Sequence, residues 1–454
     1  MTMPGKKLLF VSANRHTQPY PVYPLGISYL HTYLAQRLPS YIFRTFDFNL
    51  HSADDFRACL DEYRPDYIAL SLRNADDVNF YSQESFINGY LEIAGIIRER
   101  SKSPLIIGGS AFSIYPEELF RLLNPDYGIH GEGEESLFRL FKSLDQGSPD
   151  LTIDGLVYRN GSGIHENQRK RYIKTPDLDF EQELLGFYWD KAGMVNVQTK
   201  RGCPYNCIYC TYPLIEGHKV RTLDPDKIVH TLLQLYEQHR IDYVFFTDSV
   251  FNISNNFNVE LASKMIDLNL PTRWGAYFSP HNLTLEHLQL FARAGLTHIE
   301  FGTESLSDTT LKAYGKHFTA DEVVQVSADC NVAGIYFCHF MIIGGFGETE
   351  ATIDESFENS KRIENTVFFP YVGMRIYPGT ALHRIAKSEG ILKDGDDLLQ
   401  PVYYIAPGIN YDTLRLRAEQ TGRRWVFADE DVATAMNRLR KRQRKGSLWH
   451  YLKK

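Results

Sequence analysis

Residues 201–213 read R-G-C-P-Y-N-C-I-Y-C-T-Y-P and hold three of the chain's six cysteines, Cys203, Cys207 and Cys210. Thiolates are soft ligands that suit zinc or an iron–sulfur cluster, and three of them in one loop can bind one centre. A structural zinc site needs four ligands, and the loop offers no fourth Cys or His at ligand spacing. A four-iron cluster held by three cysteines instead leaves one iron open for another molecule. Three buried, unreactive thiols, or a zinc site completed by a distant His, are the alternatives.

The loop resembles the signature of the radical S-adenosylmethionine (radical SAM) superfamily. The resemblance rests on the spacing C-x3-C-x2-C and on Tyr209, the aromatic residue before the third cysteine. It implies a [4Fe-4S] cluster on the three cysteines, with the open iron chelating the amino and carboxylate groups of S-adenosylmethionine. In the family an electron from the cluster cleaves the sulfonium and yields a 5′-deoxyadenosyl radical. A reductase such as flavodoxin or ferredoxin is the implied electron donor.

The composition is that of a globular protein with two or three domains: 454 residues, 43% hydrophobic and 23% charged. Aromatic residues make up 13% of the chain, which favours large cores and aromatic-lined pockets. A net charge of −7 argues against nucleic acid as a partner, and no apolar run of 18 residues predicts a membrane span. Because cysteine is sparse and clustered, we expect a reducing, cytoplasmic location.

Residues 1–150 alternate strand and helix patterns. Residues 8–13, 67–72 and 104–108 are continuous apolar runs, and 42–48 and 127–131 are weaker candidate strands. Apolar runs separated by helix-length segments are typical of buried parallel strands. We therefore predict an α/β, doubly wound (Rossmann-like) domain.

Ligands of such sheets bind beyond the carboxyl ends of the strands, and the segments predicted there are rich in glycine. Three of them resemble the cobalamin-binding domain that precedes many radical SAM barrels: Y-P-L-G-I-S-Y-L (23–30), I-I-G-G-S (106–110) and H-G-E-G-E-E (130–135). The D-x-H-x-x-G element that supplies a His to cobalt in other cobalamin domains is absent, as it commonly is in radical SAM relatives. Ordinary tight turns are the alternative. The candidate cobalamin contacts are Gly26, Ser71, Arg73, Asn74, Gly108, Gly109, Ser110, Glu132 and Gly133.

Residues 151–190 read as a linker that contains a short hairpin with an Asn-Gly turn at Asn160-Gly161. Residues 191–390 resume the strand–helix alternation, with helix N-caps at Asp224 and Thr284 and a capping box at Thr319. Six strand–helix units fall short of an eightfold barrel, so we predict a partial (β/α)6 radical SAM barrel. Its strands are predicted at 194–199, 243–246, 273–278, 298–302, 334–343 and 372–376.

Three strand ends in this region resemble superfamily elements that contact S-adenosylmethionine. They read G-T-E-S (302–305), G-G-F-G-E-T (344–349, with Gly345-Phe346 replacing the usual Leu-Pro) and Y-P-G-T (377–380). The carboxylate of Glu304 needs a partner, either the cosubstrate's ammonium or an internal Arg or Lys. The candidate cosubstrate contacts are Tyr209, Asp248, Gly302, Glu304, Ser305, Gly344 and Tyr377.

The remaining reactive residues favour structural roles. Cys330 and Cys338 are predicted as core thiols on a helix and a strand, and His339 as a buried histidine facing away from Cys338. Residues 391–454 form a C-terminal helical extension that carries an apolar stripe from Val432 to Leu439. Six of the eight residues 438–445 are basic, which indicates a solvated helix face or a phosphate or RNA contact. Residues 449–451 are candidates for a cap over the active site or for an oligomer contact.

The leading hypothesis is a cobalamin-dependent radical SAM methyltransferase that acts on a small molecule. The resemblance implies that the deoxyadenosyl radical activates a carbon and that methylcobalamin, held near Gly108 and Gly109 at the barrel mouth, donates the methyl group. Cobalamin-dependent rearrangement or cyclisation, and aminocarboxypropyl transfer without cobalamin, are alternatives on the same scaffold. Methylthiolation of tRNA is disfavoured by the acidic net charge and by the lack of a second three-cysteine motif. A cobalamin carrier or sensor is the non-enzyme alternative.

Overall fold

The computed structural model describes residues 5–161, 163–173, 176–428, 430 and 432–453. They form two compact units. The first unit contains the described residues up to Asp77 together with Glu84–Phe187 and Leu214–Glu216. The second contains Val78–Gln83, Tyr188–Pro213 and the described residues from Gly217 onward.

In the described residues, the first unit is built on a seven-stranded sheet with the order β2-β1-β3-β4-β5-β6-β7. Its strands are β1 (Lys7–Ser12), β2 (Ile42–Asp47), β3 (Tyr67–Ser71), β4 (Leu105–Gly108), β5 (Tyr127–Ile129), β6 (Leu156–Asn160) and β7 (Gly163–Glu166). Its helices are α1 (Leu25–Arg37), α2 (Ala53–Tyr63), α3 (Ile87–Arg100), α4 (Ser110–Ile114), α5 (Pro116–Leu123) and α6 (Glu134–Asp145). Strands β1 to β5 pair in parallel, which confirms the predicted doubly wound domain.

The hairpin predicted within the linker belongs to this sheet. Strand β6 pairs antiparallel with β5, and β7 pairs antiparallel with β6, so residues 156–166 form one edge. Asn160 pairs with Gly163, so the turn begins at Gly161 (φ 60°), one residue later than predicted, and residue 162 lies outside the described residues. The predicted linker 151–190 is therefore largely part of the first compact unit, which extends to Phe187.

The second unit is built on a parallel sheet. Its order is β18-β15-β14-β13-β12-β11-β8 among the residues that the structure describes. The strands of this unit are β8 (Val195–Val197), β9 (Lys200–Arg201), β10 (Arg221–Thr222), β11 (Tyr243–Phe246), β12 (Arg273–Phe278), β13 (Leu296–Glu304), β14 (Tyr336–Ile343), β15 (Thr366–Val372), β16 (Met374–Arg375), β17 (Tyr403–Tyr404) and β18 (Arg424–Trp425). Helices α7 (Gln182–Ala192) and α8 (Tyr212–Glu216) cross the division between the units.

The second unit also contains nine further α-helices among the residues that the structure describes. They are α9 (Pro225–His239), α10 (Asn255–Asp267), α11 (Leu285–Arg293), α12 (Asp308–Ala313), α13 (Ala320–Ala333), α14 (Glu350–Ser360), α15 (Ala381–Ser388), α16 (Leu414–Gln420) and α17 (Val432–Lys441). Short 3-10 helices span Phe251–Ile253, Tyr411–Thr413 and Trp449–Lys453. The predicted N-caps are confirmed: Asp224 caps α9, Thr284 caps α11 and Thr319 caps α13.

The predicted sixth strand, residues 372–376, is wrong. The strand that continues the parallel sheet is β15, in which Pro370 lies opposite Met341 of β14. Gly373 has a φ of 73° and breaks the extended backbone, and residues 374–375 then pair antiparallel with β17 in a separate small sheet. Strand β18, which is two residues long, pairs in parallel with β15 and adds a seventh strand to the six that were predicted.

The two faces of the parallel sheet carry different partners. On the face covered by α11, which we call the outer face, Trp274 and Phe278 pack with Phe291. His339 forms hydrogen bonds with the hydroxyl groups of Thr303 and Ser327. His339 is thus the satisfied, buried histidine that the alternation predicts. Cys330 and Cys338 are also fully buried, in agreement with a role in the core.

The C-terminal segment fills part of the inner face at the amino-terminal ends of the strands. The Trp449 indole N–H donates to Oε1 of Glu300 (3.1 Å), and Trp449 packs with Cys338 and Val367. His450 Nδ1 lies 2.7 Å from Nε2 of His298, the third residue of β13. Trp449 therefore forms part of the core of this unit, and the half-buried His450 packs beside it. Across the described residues, the structure has no helix long and apolar enough to span a membrane.

Candidate functional site

The cysteine loop follows β9 and is closed by backbone contacts. Gly202 has a φ of 87°, and a Cβ there would lie 2.3 Å from the carbonyl oxygen of Lys219, so only glycine fits this position. The backbone N–H of Cys203 donates to the carbonyl oxygen of Gly217 (3.1 Å). The first cysteine is thereby fixed between two chain segments.

A second set of contacts closes on the middle of the loop. The N–H of Ile208 donates to the carbonyl oxygen of Tyr314 (3.1 Å), and its own carbonyl oxygen accepts from the N–H of Leu382 (2.8 Å). Gly315 has a φ of 75°, and a Cβ there would lie 2.7 Å from the carbonyl oxygen of Asn206. The segment after α12 can approach the loop this closely because it carries a glycine.

The three thiols lie in the loop that these contacts hold. Cys203 is buried, Cys207 and Cys210 are half-buried, and the N–H of Cys210 donates to the carbonyl oxygen of Cys207 (3.1 Å). Within the described ranges, no three Cys, His, Asp or Glu side chains are close enough together to enclose a single metal ion. A four-iron cluster spreads its thiolate ligands over separate irons, so it takes a wider opening than one ion. The soft donor set and its partial burial fit such a cluster.

A carboxylate, a phenol and an ammonium lie beside the loop. The Tyr209 hydroxyl donates to Oε1 of Glu304 (2.7 Å), and the Lys316 ammonium donates to the same oxygen (3.3 Å) and to the carbonyl oxygen of Gly302 (3.1 Å). Of the two partners predicted for Glu304, the structure shows the internal lysine. Lys316 was not predicted, because nothing in the sequence distinguishes it from a surface lysine.

The position of this carboxylate depends on an irregular strand end. Glu304 has a φ of 65°, and the pairing of β13 with β14 shifts register between Gly302 and Glu304. A left-handed conformation in a residue other than glycine costs roughly 1–3 kcal/mol, so the surrounding contacts must maintain it. Burial lowers the pKa of Lys316, but the negative charges of Glu304 and Cys207 outweigh that effect and the pKa is raised. Lys316 is therefore a buried cation beside the thiols.

Asp248, predicted to contact the cosubstrate, has internal partners in the structure, and its contact with a cosubstrate stays a prediction. It is fully buried at the end of β11 and accepts from the N–H of Thr199 (2.7 Å), the N–H of Lys200 (3.1 Å) and the Lys200 ammonium (2.7 Å). The ammonium also donates to the carbonyl oxygen of Phe251 (2.8 Å). Burial lowers the pKa of Lys200, and the Asp248 carboxylate opposes that shift. This buried ion pair anchors the start of β9, just before the cysteine loop.

Ser305 also has internal hydrogen-bond partners. Its side chain is buried, its hydroxyl lies 3.1 Å from the Ser356 hydroxyl, and it accepts from the N–H of Ser307 (3.1 Å). The hydroxyl stabilises the turn after β13. The contact of Ser305 with S-adenosylmethionine stays a prediction.

Gly344 and Tyr377 lie at the turns where the sequence predicted them. Gly344 has a φ of 88°, and a Cβ there would lie 2.4 Å from the Tyr411 hydroxyl oxygen. Its N–H donates to the Glu348 carboxylate, whose pKa burial raises to about 7. Tyr377 is half-buried beneath the Arg375 guanidinium, 4.9 Å from its ring centroid. The roles of both residues toward a cosubstrate stay predictions.

The nine candidate cobalamin residues lie at the carboxyl edge of the first sheet. Ser71 ends β3 and pairs with Gly108, which ends β4, so the two positions are neighbours. Gly109 has a φ of 99°, and a Cβ there would lie 2.5 Å from the carbonyl oxygen of Leu72. The remaining candidates are Arg73 and Asn74 after β3, Ser110 at the start of α4, Glu132 and Gly133 before α6, and Gly26 in the first turn of α1.

The polar, partly accessible character of this edge fits a large polar ligand. Eight of the nine candidates are half-buried, and the ninth, Gly26, is exposed. A Cβ added to Gly26 would have no atom within 4 Å. Arg169, which the sequence did not single out, donates to the carbonyl oxygens of His130 and Glu132 and so orders the segment between β5 and α6. Individual contacts with cobalamin stay predictions.

Two family models match the chain. Residues 197–359 match the model described as Radical SAM superfamily, and residues 11–140 match the B12 binding domain. The first range contains strands β9 to β14 of the second unit, and the second range contains strands β2 to β5 of the first. They confirm the predicted fold class.

The chain is similar to individual proteins in both structure and sequence. The solved structure of the radical S-adenosylmethionine methyltransferase TsrM from Kitasatospora setae, with cobalamin and a [4Fe-4S] cluster bound, superposes with a TM-score of 0.85. It is 21% identical, and the match covers 99% of this chain and 97% of that one. An uncharacterised methyltransferase of Pyrococcus horikoshii is 22% identical over 78% of this chain and 77% of its own length. Tryptophan 2-C-methyltransferase of Streptomyces laurentii is 23% identical over 79% and 71%, respectively.

The Lys200–Asp248 pair generates a stability prediction. Asp248→Ala leaves the Lys200 ammonium buried without its carboxylate, so we expect the free energy of unfolding to fall by about 3–5 kcal/mol. The double variant Lys200→Met/Asp248→Leu removes both charges and should lose clearly less. Denaturant unfolding followed by circular dichroism measures both.

Asp242→Ala is the matched control, because Asp242 pairs with Arg273 at the surface (3.0 Å). Such exposed pairs contribute about 0–1 kcal/mol. A cost for Asp248→Ala no greater than that of this control would contradict the structural role assigned to Asp248.

Proposed function

We propose that this chain, a member of the radical SAM superfamily with an N-terminal B12-binding domain, is a cobalamin-dependent methyltransferase that acts on an unactivated carbon of a small molecule. The family matches confirm the predicted superfamily and its cofactors, a [4Fe-4S] cluster, S-adenosylmethionine and cobalamin. The observation that carries the proposal is the combination, in one chain, of the three-thiol loop with the glycine-rich edge of a B12-binding sheet. The methyltransferase names of similar proteins support it.

Cys203, Cys207 and Cys210 would hold the cluster. Their loop is fixed by backbone hydrogen bonds on both sides, so binding the cluster requires little ordering of the chain. Lys316 places a positive charge beside Cys207 and Cys210. Opposite charges attract more strongly away from water, so this cation favours an anionic thiolate–cluster centre.

Gly302 and Glu304 would bind the amino group of S-adenosylmethionine. In the structure, the carbonyl oxygen of Gly302 and the carboxylate of Glu304 both accept from the Lys316 ammonium, so these two acceptors already suit a primary ammonium. Tyr209 donates to the same carboxylate and fixes its direction. The cosubstrate's ammonium would compete with the Lys316 ammonium for these acceptors. Lys316 could then pair with the cosubstrate's carboxylate instead.

The bound cofactors supply the hard chemistry: the cluster provides the electron that cleaves S-adenosylmethionine, and cobalamin carries the methyl group. The protein contributes positioning and the exclusion of water. Trp449 and the neighbouring C-terminal residues close the inner face at the amino-terminal ends of the strands, so the carboxyl ends are the side from which a reactant enters.

The proposed partners follow from the same scaffold. The substrate is a small molecule, in keeping with the tryptophan-directed relative and with a net charge of −7 that disfavours nucleic acid. Flavodoxin or ferredoxin is the proposed reductant, and the cytoplasm, predicted from cysteine usage, is the proposed location.

The cosubstrate site generates a binding prediction. Glu304→Gln keeps the shape of the side chain and removes its charge, so we expect the affinity for S-adenosylmethionine to fall about 10- to 100-fold, the loss of one hydrogen bond to a charged group. Equilibrium dialysis against cluster-loaded protein measures the dissociation constant. Glu358→Gln is the matched control, since Glu358 is a surface residue that pairs with Lys361. Equal affinities of the two variants would rule out Glu304 as a cosubstrate ligand.

Corrinoid binding and methyl transfer test the function. Anaerobically reconstituted protein is saturated with cobalamin, desalted, reduced and incubated with methyl-labelled S-adenosylmethionine. We expect about one corrinoid per chain and label in the corrinoid fraction after chromatography. Protein that retains its cluster but no corrinoid would overturn the proposal.

A further inference from the structure

The inner face of the parallel sheet of the second unit is closed at one end and open at the other. Near the amino-terminal ends of the strands, Tyr243 and His298 are buried under the C-terminal segment. Toward the carboxyl ends, Phe340 and Phe369 are only partly buried, and Tyr371 is 38% exposed. Exposure therefore rises along the inner face toward the end where the cysteine loop lies. We call the more exposed end of this face the pocket and its buried end the floor.

A carboxylate forms part of this floor. Glu300 is 4% exposed and shares the inner face of β13 with Gly302, because side chains alternate along a strand. Among the residues that the structure describes, the Trp449 indole is the one hydrogen-bond donor to Glu300, and it reaches only Oε1. Burial raises the pKa of Glu300 to about 7. The second carboxylate oxygen is available to a ligand in the pocket.

Above Glu300 the pocket is empty of side chains on β13. Gly302 is the next inward position, about 6–7 Å along the strand. A Cβ added there would meet only Oε1 of Glu304, at 3.5 Å. Space therefore remains between the two carboxylates, and a ligand in this space would lie between the floor and the side chains next to the cysteine loop.

Aromatic rings wall this space on the neighbouring strands. Phe340 of β14 lies in register with Gly302, and Phe369 of β15 lies in register with Phe340. Both pack against the cluster that contains Cys338 and Trp449, which places them on the inner face. Burial and, after it, the negative charge of Glu300 raise the pKa of the Tyr371 phenol to about 12. Flat apolar walls favour a flat apolar ligand, because rings stack or meet edge to face.

We propose that this pocket binds the methyl acceptor as a planar aromatic ring that carries an amine or another N–H group, with that group donating to Glu300. The inference rests on the proposed function, whose substrate class it specifies. Glu300 is a positioning and specificity residue: it compensates the positive or partly positive nitrogen, and Trp449 fixes the direction of its carboxylate. Anionic rings are disfavoured, since their charge would face a carboxylate in a space with little water.

Isothermal titration of full-length, cluster-loaded protein with S-adenosylmethionine tests the inference with three probes. They are 2-(1-naphthyl)ethylamine, 1-naphthylacetate and 2-cyclohexylethylamine, which separate the charge of the ligand from its planarity. We expect the naphthylamine to bind about 10-fold or more tightly than either of the others, as one charge-assisted hydrogen bond and ring stacking allow.

Two variants assign the selectivity to residues. Glu300→Gln retains the shape of the floor and should reduce the preference for the naphthylamine over naphthylacetate to about 3-fold or less. Phe340→Leu should instead reduce the preference for the naphthylamine over the cyclohexylamine. Glu358→Gln, at the surface, should leave both ratios unchanged.

Failure of the naphthylamine to bind the wild-type protein, equal binding of naphthylacetate, or an unchanged ratio in Glu300→Gln would each overturn the inference. Probe binding is read without methyl transfer. Corrinoid retention without probe selectivity would therefore refute this substrate class alone, whereas absence of corrinoid would refute the proposed function.

Discussion

Backbone packing around the cysteine loop is the constraint on which the site depends. A loop that is held in place before the metal arrives needs less ordering of the chain when its three thiols bind one cluster. Gly202 and Gly315 allow neighbouring carbonyl groups to approach where any Cβ would collide, and backbone hydrogen bonds then tie the loop on both sides. The buried Lys200–Asp248 pair fixes the strand that leads into it. A charged pair in the core adds little net stability, but breaking it is costly, so it also locks this strand end in one arrangement.

The same loop joins the two kinds of chemistry in the second unit. The loop carries the three thiols and also Tyr209, whose hydroxyl donates to the Glu304 carboxylate. The Lys316 ammonium pairs with the same carboxylate. The strained backbone of Glu304 follows from a register shift in β13, and this shift turns the carboxylate toward the loop. Two residues earlier on the inner face, Gly302 leaves space, and Glu300 lies below it. One strand thus supplies the cosubstrate carboxylate, the space and the floor of the proposed substrate pocket.

Much of this arrangement could be predicted from the sequence, because motif spacing and apolar runs are local signals. The loop, Tyr209, Glu304 and the parallel strands of both units belong to this class. The strand at Thr366–Val372 was misplaced because Pro370 argues against a central strand, whereas β15 lies between β14 and β18 in the structure. The internal partners of Asp248 and Ser305 could not be predicted because they come from elsewhere in the fold: Lys200 lies 48 residues from Asp248 in the chain, and Ser356 lies 51 residues from Ser305. Lys316, Arg169 and Glu300 escaped notice for the same reason.

The central claim is that the loop of Cys203, Cys207 and Cys210 holds a four-iron cluster on a preformed scaffold. Iron and acid-labile sulfide counts on anaerobically reconstituted wild-type and Cys207→Ala protein test it most directly. Circular dichroism on the same samples verifies that both are folded. We predict about four irons and four sulfides per wild-type chain and less than about one of each in folded Cys207→Ala. A full complement of iron and sulfide in that variant would contradict the account.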